Sequence, residues 1–274
     1  VTWMHRRDAL RAGAGAVLTG ALATGCTDGG PATAPAPVPP AAPGEPDPPD
    51  GPGAPDAPGS SGRARDAPAP RRFPGQPPEI GHGPRDRPRV ALTFHGQGDP
   101  ATARALLAEA ERAGARVTVL AVGGWLDENP GIARRILDGG HELGNHTQRH
   151  LDISSMSERD ASAEIEQCAL RLRRLTGSIG TWFRPSRTPH ATPLVQRLAR
   201  RAGYPHCLSY DVDPLDFTSP GVAALTRSVT DRVQGGSVVS LHFGYRDTVA
   251  ALPAVLAELD RRGLRAVTTT ELLT

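Results

Sequence analysis

His146 and His150 lie four residues apart in the stretch Glu142-Leu143-Gly144-Asn145-His146-Thr147-Gln148-Arg149-His150. That spacing lets two imidazoles grip one divalent ion from a single turn of backbone. Neutral histidine is the commonest metal ligand, and a catalytic centre takes three protein ligands with a position left open for water or substrate. The Gly144-Asn145 pair ahead of the first histidine suits a strand end that breaks into a tight loop. In a chain with nine histidines, one short motif is more often a pair of solvated or core-filling side chains. The assignment therefore depends on what else the chain carries.

Four further stretches follow a recognisable order: Thr93-Phe94-His95-Gly96-Gln97-Gly98-Asp99-Pro100, Phe183-Arg184-Pro185-Ser186, Asp213-Pro214-Leu215-Asp216-Phe217, and Ser240-Leu241-His242 at the end of the apolar run Val238-Val239. With the histidine pair, they resemble the polysaccharide deacetylases that share the NodB homology domain. These are carbohydrate esterase family 4-like enzymes that remove acetyl from N-acetylated sugars. The family's His-Ser/Thr-x-x-His motif is matched in full by His146, Thr147 and His150. Its Arg-x-Pro-aromatic motif is matched in part at Arg184-Pro185, its Asp-x-x-Asp-Trp motif with Phe217 for tryptophan, and its Leu-x-His motif with Ser240 for leucine. The resemblance runs from Arg89 to the C-terminus.

The first motif departs from the family. There the reading is Thr-Phe-Asp-Asp-Gly-Pro, with the first aspartate a general base and the second a metal ligand. Here His95 and Gly96 stand in those places, and Asp99 returns after a longer, glycine-bearing loop. Two repairs are chemically sound. In the working assignment Asp99 joins His146 and His150 as metal ligands and His95 takes the base position. In the other, His95 completes a three-histidine metal site and Asp99 activates the water. A third reading is a decayed site that binds glycan without turnover. The resemblance further implies a divalent metal, zinc first. It makes His242 the general acid, with Asp216 holding its charge, and Arg184 the tether of the base. Phe217 would line the acetyl pocket. The activity implied is removal of N-acetyl groups from cell-wall or related glycan; hydrolysis of another amide or of an O-acetyl ester stays open.

The elements that must position these residues read as alternating strands and helices. Strands are expected at 89–94, 116–122, 181–184, 206–210 and 237–242. Helices are expected at 100–113, from Pro130 to Gly139, 157–176 with Ser157 as cap and Gly177 as stop, 192–202, 221–233 and 248–262. This alternation implies parallel strands joined by crossover helices, and the resemblance implies an irregular (β/α) barrel of about seven strands. Placed on that frame, His95, His146/His150, Arg184, Asp213/Asp216 and His242 all fall at or just after strand ends, where α/β folds build their active sites. Trp125 and Trp182 read as core. His141, His190 and His206 read as structural.

The first third of the chain is different. Arg6-Arg7 and Arg11 precede an apolar stretch at 12–23, and Leu22-Ala23-Thr24-Gly25-Cys26 ends it with small residues and a cysteine. Residues 1–26 thus read as an export signal resembling that of a bacterial lipoprotein, with Cys26 lipidated. Residues 27–87 are mostly Ala, Pro, Gly, Asp and Arg, with Phe73 and Ile80 the only large apolar side chains, and are expected to be a disordered tether. About 60 such residues span on the order of 45 Å as a flexible coil. Residues 88–274 are expected to form the catalytic domain, held as a monomer on the outer face of the cell membrane through lipid alone. Cys168 and Cys207 are expected to be buried free thiols rather than a disulfide. Net charge is +2, and all 31 basic residues are arginine, interspersed with acids on helices. That distribution describes solvated faces and no nucleic-acid surface.

Overall fold

The central strand of the sheet is β2 (Arg89–Gly96), whose run Val90-Ala91-Leu92-Thr93-Phe94 is buried on both faces, as a parallel strand covered by helices must be. The structure, a computed structural model, describes residues 67–274. One edge of β2 is shared by β3 (Thr118–Ala121) and, lower down, β7 (Arg265–Val267). The other edge carries β6 (Val238–His242), and β4 (Glu142–Asn145) lies outside β3. β1 (Glu79–Ile80) and β5 (Cys207–Leu208) form a second, short pair. Every pairing between these strands is parallel. Between β4 and β5 the link is carried by single bridges from Phe183 to Asn145 and Cys207, and Val212 bridges to Val239 of β6. The expected α/β fold is present, with the strand succession partly in isolated bridges, so continuous pairing does not close a barrel. The strand expected at 181–184 is reduced to the bridge at Phe183, and that at 206–210 to two residues.

The helices are α1 (Pro100–Arg112), α2 (Gly123–Glu128), α3 (Pro130–Asp138), α4 (Glu158–Thr176), α5 (Pro193–Arg201), α6 (Val222–Thr230), α7 (Arg246–Arg261) and α8 (Thr269–Leu273). Their ends follow local chemistry. Ser157 accepts from the Asp160 amide, and Gly177 closes α4 at φ 80° with its amide on the Arg173 carbonyl. Thr192 caps α5 just before Pro193. No local signal announces α2, which opens on two glycines.

The domain begins earlier than expected. Phe73 stacks on Trp182 with ring centroids 5.4 Å apart, Ile80 is buried beside β5, and the Ala67 amide bonds to the Thr176 carbonyl. Residues 67–87 therefore belong to the folded domain and not to a tether. The reason is the burial of the two large apolar side chains in that stretch. The expected signal at 1–26, Cys26 included, and the rest of the tether lie outside the described residues. Among the described residues no helix is long and apolar enough to cross a membrane. Cys168 and Cys207 are both free and buried, and burial pushes each thiol up to about 12. Trp125 and Trp182 are core. His141 accepts from the Val117 amide, His206 from the Phe73 amide, and His190 faces Glu79 at 2.6 Å, all away from the strand ends described next.

Candidate metal and acid-base site

Side chains alternate along a strand, so Thr93 and His95 of β2 share one face, as do Ser240 and His242 of β6. The parallel register sets Thr93 beside Ser240 and His95 beside His242. Two adjacent strand ends thus deliver two imidazoles side by side, with ring centroids 4.3 Å apart. β4 delivers the third. Its last residue, Asn145, anchors the loop by donating to the Ile165 carbonyl and the Tyr204 hydroxyl, and its own side-chain oxygen accepts from the Thr147 amide. The chain then turns sharply, with Thr147 at φ 66° and His150 at φ 56°. These are unusual values for non-glycine residues, held here by Thr147 bonding to Ser186, Ser186 bonding to the Leu151 carbonyl, and Glu164 accepting from the Arg149 amide.

The turn brings His146 and His150 onto His95. His95 Nδ1 lies 2.8 Å from His146 Nε2, and the ring centroids of His146 and His150 are 4.9 Å apart. One nitrogen from each of the three rings falls within 4.8 Å of the others. Burial, reinforced by the neighbouring imidazoles, holds His95 and His146 well below the ordinary histidine range, and burial with Arg187 lowers His150 to about 4. All three are neutral at pH 7, the state in which imidazole binds a metal. Around a tetrahedral zinc, bonds of about 2.0–2.1 Å separate ligand nitrogens by about 3.4 Å. His95 and His146 need to part by only about half an ångström from their hydrogen-bonded distance. The donor set fits a divalent ion of the zinc type.

Asp99 does not join them. Its side-chain oxygen accepts from the Ala101 amide at 2.8 Å as the N-cap of α1, and the residue is exposed. Of the working set Asp99, His146 and His150, the structure brings together only the two histidines, and His95 stands beside them where Asp99 was expected. The reason is local. An aspartate directly before a proline is the favoured cap-then-N1 pair, while Gly98 at φ 100° turns the chain and the Trp125 indole pins its carbonyl at 2.7 Å. Position 96 offers no substitute. A Cβ there would meet Val119 Cγ1 at 2.9 Å and Ala121 Cα at 3.0 Å.

His242 stands beside the cluster in a different bond pattern. Its Nδ1 lies 2.6 Å from Asp216 Oδ1, while Asp216 Oδ2 accepts from the His242 amide and from the Thr248 hydroxyl. The carboxylate is fully buried and triply engaged, so it fixes the ring and leaves Nε2 for the cleft. Phe217 packs edge-on against that ring at 5.4 Å and is 44% exposed, as expected of a wall rather than a core residue. Arg184 is buried, with its Nε and Nη2 on the Leu208 and Ser209 carbonyls and Nη1 3.3 Å from His95 Nε2. Burial lowers it to about 10, so it remains a cation. The expected tether thus falls on an imidazole in place of a carboxylate.

His95, His150, Phe217 and His242 line one cleft of ≈ 520 Å³, with His146, Arg184 and Asp216 buried behind them. Its wall also holds Gln97, Arg187, Tyr210, Ser240 and Tyr245, which sequence reasoning did not single out. Ser240 was findable, because it alternates with His242 on the same strand. Arg187 and Tyr210 carry no comparable signal.

A family model described as polysaccharide deacetylase matches residues 82–206. The chain is 32% identical over 194 residues to the peptidoglycan-N-acetylglucosamine deacetylase of Bacillus cereus, an alignment covering 69% of this chain and 90% of that protein. It is 29% identical over 193 residues to the chitooligosaccharide deacetylase of Sinorhizobium fredii, covering 64% and 87%. Among solved structures, a CE4 family pseudoenzyme from Bacillus anthracis superposes with a TM-score of 0.69 at 22% identity, covering 73% of this chain and 70% of that one. At that identity the likeness is one of fold.

Proposed function

The chain belongs to the polysaccharide deacetylase family, and from that premise we propose that it is a metal-dependent hydrolase that removes N-acetyl groups from cell-wall or related N-acetylated glycan. The observation that carries the reading is the meeting, in one cleft, of three neutral imidazoles and the His242–Asp216 pair. When bound, a divalent ion supplies Lewis acidity and a water of lowered pKa. The chain's own residues do the rest. His95, His146 and His150 would hold the ion. His242 Nε2, the imidazole nitrogen left to face the cleft, takes a proton from the attacking water. As the water oxygen bonds to the acetyl carbon and the C–N bond breaks, the same nitrogen returns that proton to the departing amine. Acetate and a free amine result. Asp216 keeps the ring oriented and balances its charge while it is protonated. Phe217 gives the acetyl methyl an apolar wall.

A second reading, glycan binding without turnover, is favoured by one specific observation. His95 and Gly96 occupy the two positions where the resembled motif has carboxylates, and Asp99 does not replace them. Acetate release separates the two. Zinc-loaded protein is expected to free acetate from N-acetylglucosamine oligomers or peptidoglycan and not from O-acetyl xylan, and chelator is expected to stop it. Glycan binding with no acetate from any of these substrates would establish the second reading instead.

We also propose that the protein works outside the cell, anchored through lipid on Cys26, a reading supported by the small residues and cysteine that end the apolar stretch at 12–23. Cys26→Ser is expected to move the protein from the membrane fraction to the soluble one. A serine variant that stays on membranes would refute the anchor.

A further inference from the structure

The hydrogen bonds around His95 settle which of its nitrogens carries the proton. His146 Nδ1 lies 3.0 Å from the Arg184 carbonyl oxygen, which can only accept, so His146 donates there and its Nε2 holds a lone pair. His95 Nδ1, 2.8 Å from that lone pair, must then be the donor. His95 Nε2 is consequently an acceptor, and two donors converge on it: Arg184 Nη1 at 3.3 Å and the Ser240 hydroxyl at 3.0 Å. The network is fully consistent, and in it the His95 nitrogen that faces the other two histidines is protonated. A protonated imidazole nitrogen cannot bind a metal.

For His95 to become a ligand, a proton must leave Nδ1 and one must be taken up at Nε2, with no net change. The new Nε2–H then needs an acceptor. Arg184 cannot serve, having five donors and no acceptor, and its other nitrogens are tied to the Leu208 and Ser209 carbonyls. The Ser240 hydroxyl can, because it rotates between donating and accepting at the same position. Ser240 is 1% exposed, and β6 holds it on the face of His95 and His242. It also stands where the resembled Leu-x-His motif has a leucine, a side chain that could neither donate nor accept.

We propose that Ser240 is the positioning residue that makes His95 a metal ligand: its hydroxyl reverses to accept the imidazole Nε2–H, leaving the Nδ1 lone pair aimed at the ion beside His146 and His150. The histidine at position 95 and the serine at position 240 then act as a coupled pair. The inference rests on the three-histidine reading of the site.

Zinc titration by calorimetry into chelator-stripped full chain tests it, with wild type, Ser240→Ala, His95→Ala and the double variant, each checked by its metal-free melting curve. Hydrogen bonds that orient metal-binding histidines are worth about 10- to 100-fold in affinity. Ser240→Ala is expected to weaken zinc by that amount. In the His95→Ala background the same substitution is expected to change affinity by about twofold or less, because its only route to the metal is gone. The cobalt(II) absorption of Ser240→Ala is expected to move from the wild-type spectrum toward that of His95→Ala. Wild-type affinity in Ser240→Ala, or an equal loss in both backgrounds, overturns the proposal. A wild type that takes up no zinc overturns the three-histidine reading itself, and the coupling with it.

Discussion

Alanine at His146 is expected to weaken zinc binding by about 100- to 1,000-fold while the domain stays folded. Tetrahedral four-ligand zinc sites bind with about 10–16 kcal/mol, so each ligand accounts for about 2.5–4 kcal/mol, on the order of 100- to 1,000-fold in affinity. His146 Nε2 is held toward the cluster by the Arg184 carbonyl and is fully buried, so no solvent reorganisation supplies a replacement. His95→Ala and His150→Ala are expected to lose zinc on the same scale. Asp99→Ala is the contrasting case. It removes the N-cap of an exposed helix end, worth about 0.5–2 kcal/mol of stability, and is expected to leave zinc content unchanged. Metal analysis of the four purified variants checks both halves. Zinc lost from Asp99→Ala and retained by His95→Ala would exchange the two roles and bring the aspartate back as a ligand.

His242→Ala is expected to lower the rate of acetate release by about 100- to 10,000-fold with zinc retained, the usual magnitude for losing a positioned acid-base group. The separation of effects is the informative part. His242 points Nδ1 at Asp216, and its place in the site is beside the three-histidine cluster, not within it. Asp216→Asn should fall in the same class. The carboxylate accepts from three groups, the His242 ring, the His242 amide and the Thr248 hydroxyl, whereas an amide offers one oxygen and two new donors. One donor must then face another, and the ring loses its fixed tautomer. Turnover measured alongside zinc content decides. Unchanged acetate release in His242→Ala would remove the residue from the reaction, and zinc lost along with activity would make it a ligand.

The histidine pair, the Asp216-Phe217 and His242 stretches and the alternation of elements are local patterns, and the sequence carried them to the correct family and an α/β fold. The caps at Ser157 and Thr192 and the stop at Gly177 were legible for the same reason, since each is satisfied within one helical turn. Even the exclusion of Asp99 had a local trace in Asp99-Pro100, a cap followed by its proline, which competed with the metal reading. What the sequence by itself left open was everything decided by the phase of one element against another. Whether position 95 or 99 joins His146 and His150 depends on the β2 pleat, which points His95 at the cleft, and on α1, which takes the aspartate for its own first turn. Phe73 and Ile80 looked like isolated apolar residues in a polar tract until Trp182 and β5 supplied surfaces to bury them. Ser240 acquires a role only because parallel pairing of β2 and β6 sets its hydroxyl 3.0 Å from an imidazole 145 residues away in the chain. Distances of that kind belong to the register between strands, which no single segment of the chain contains.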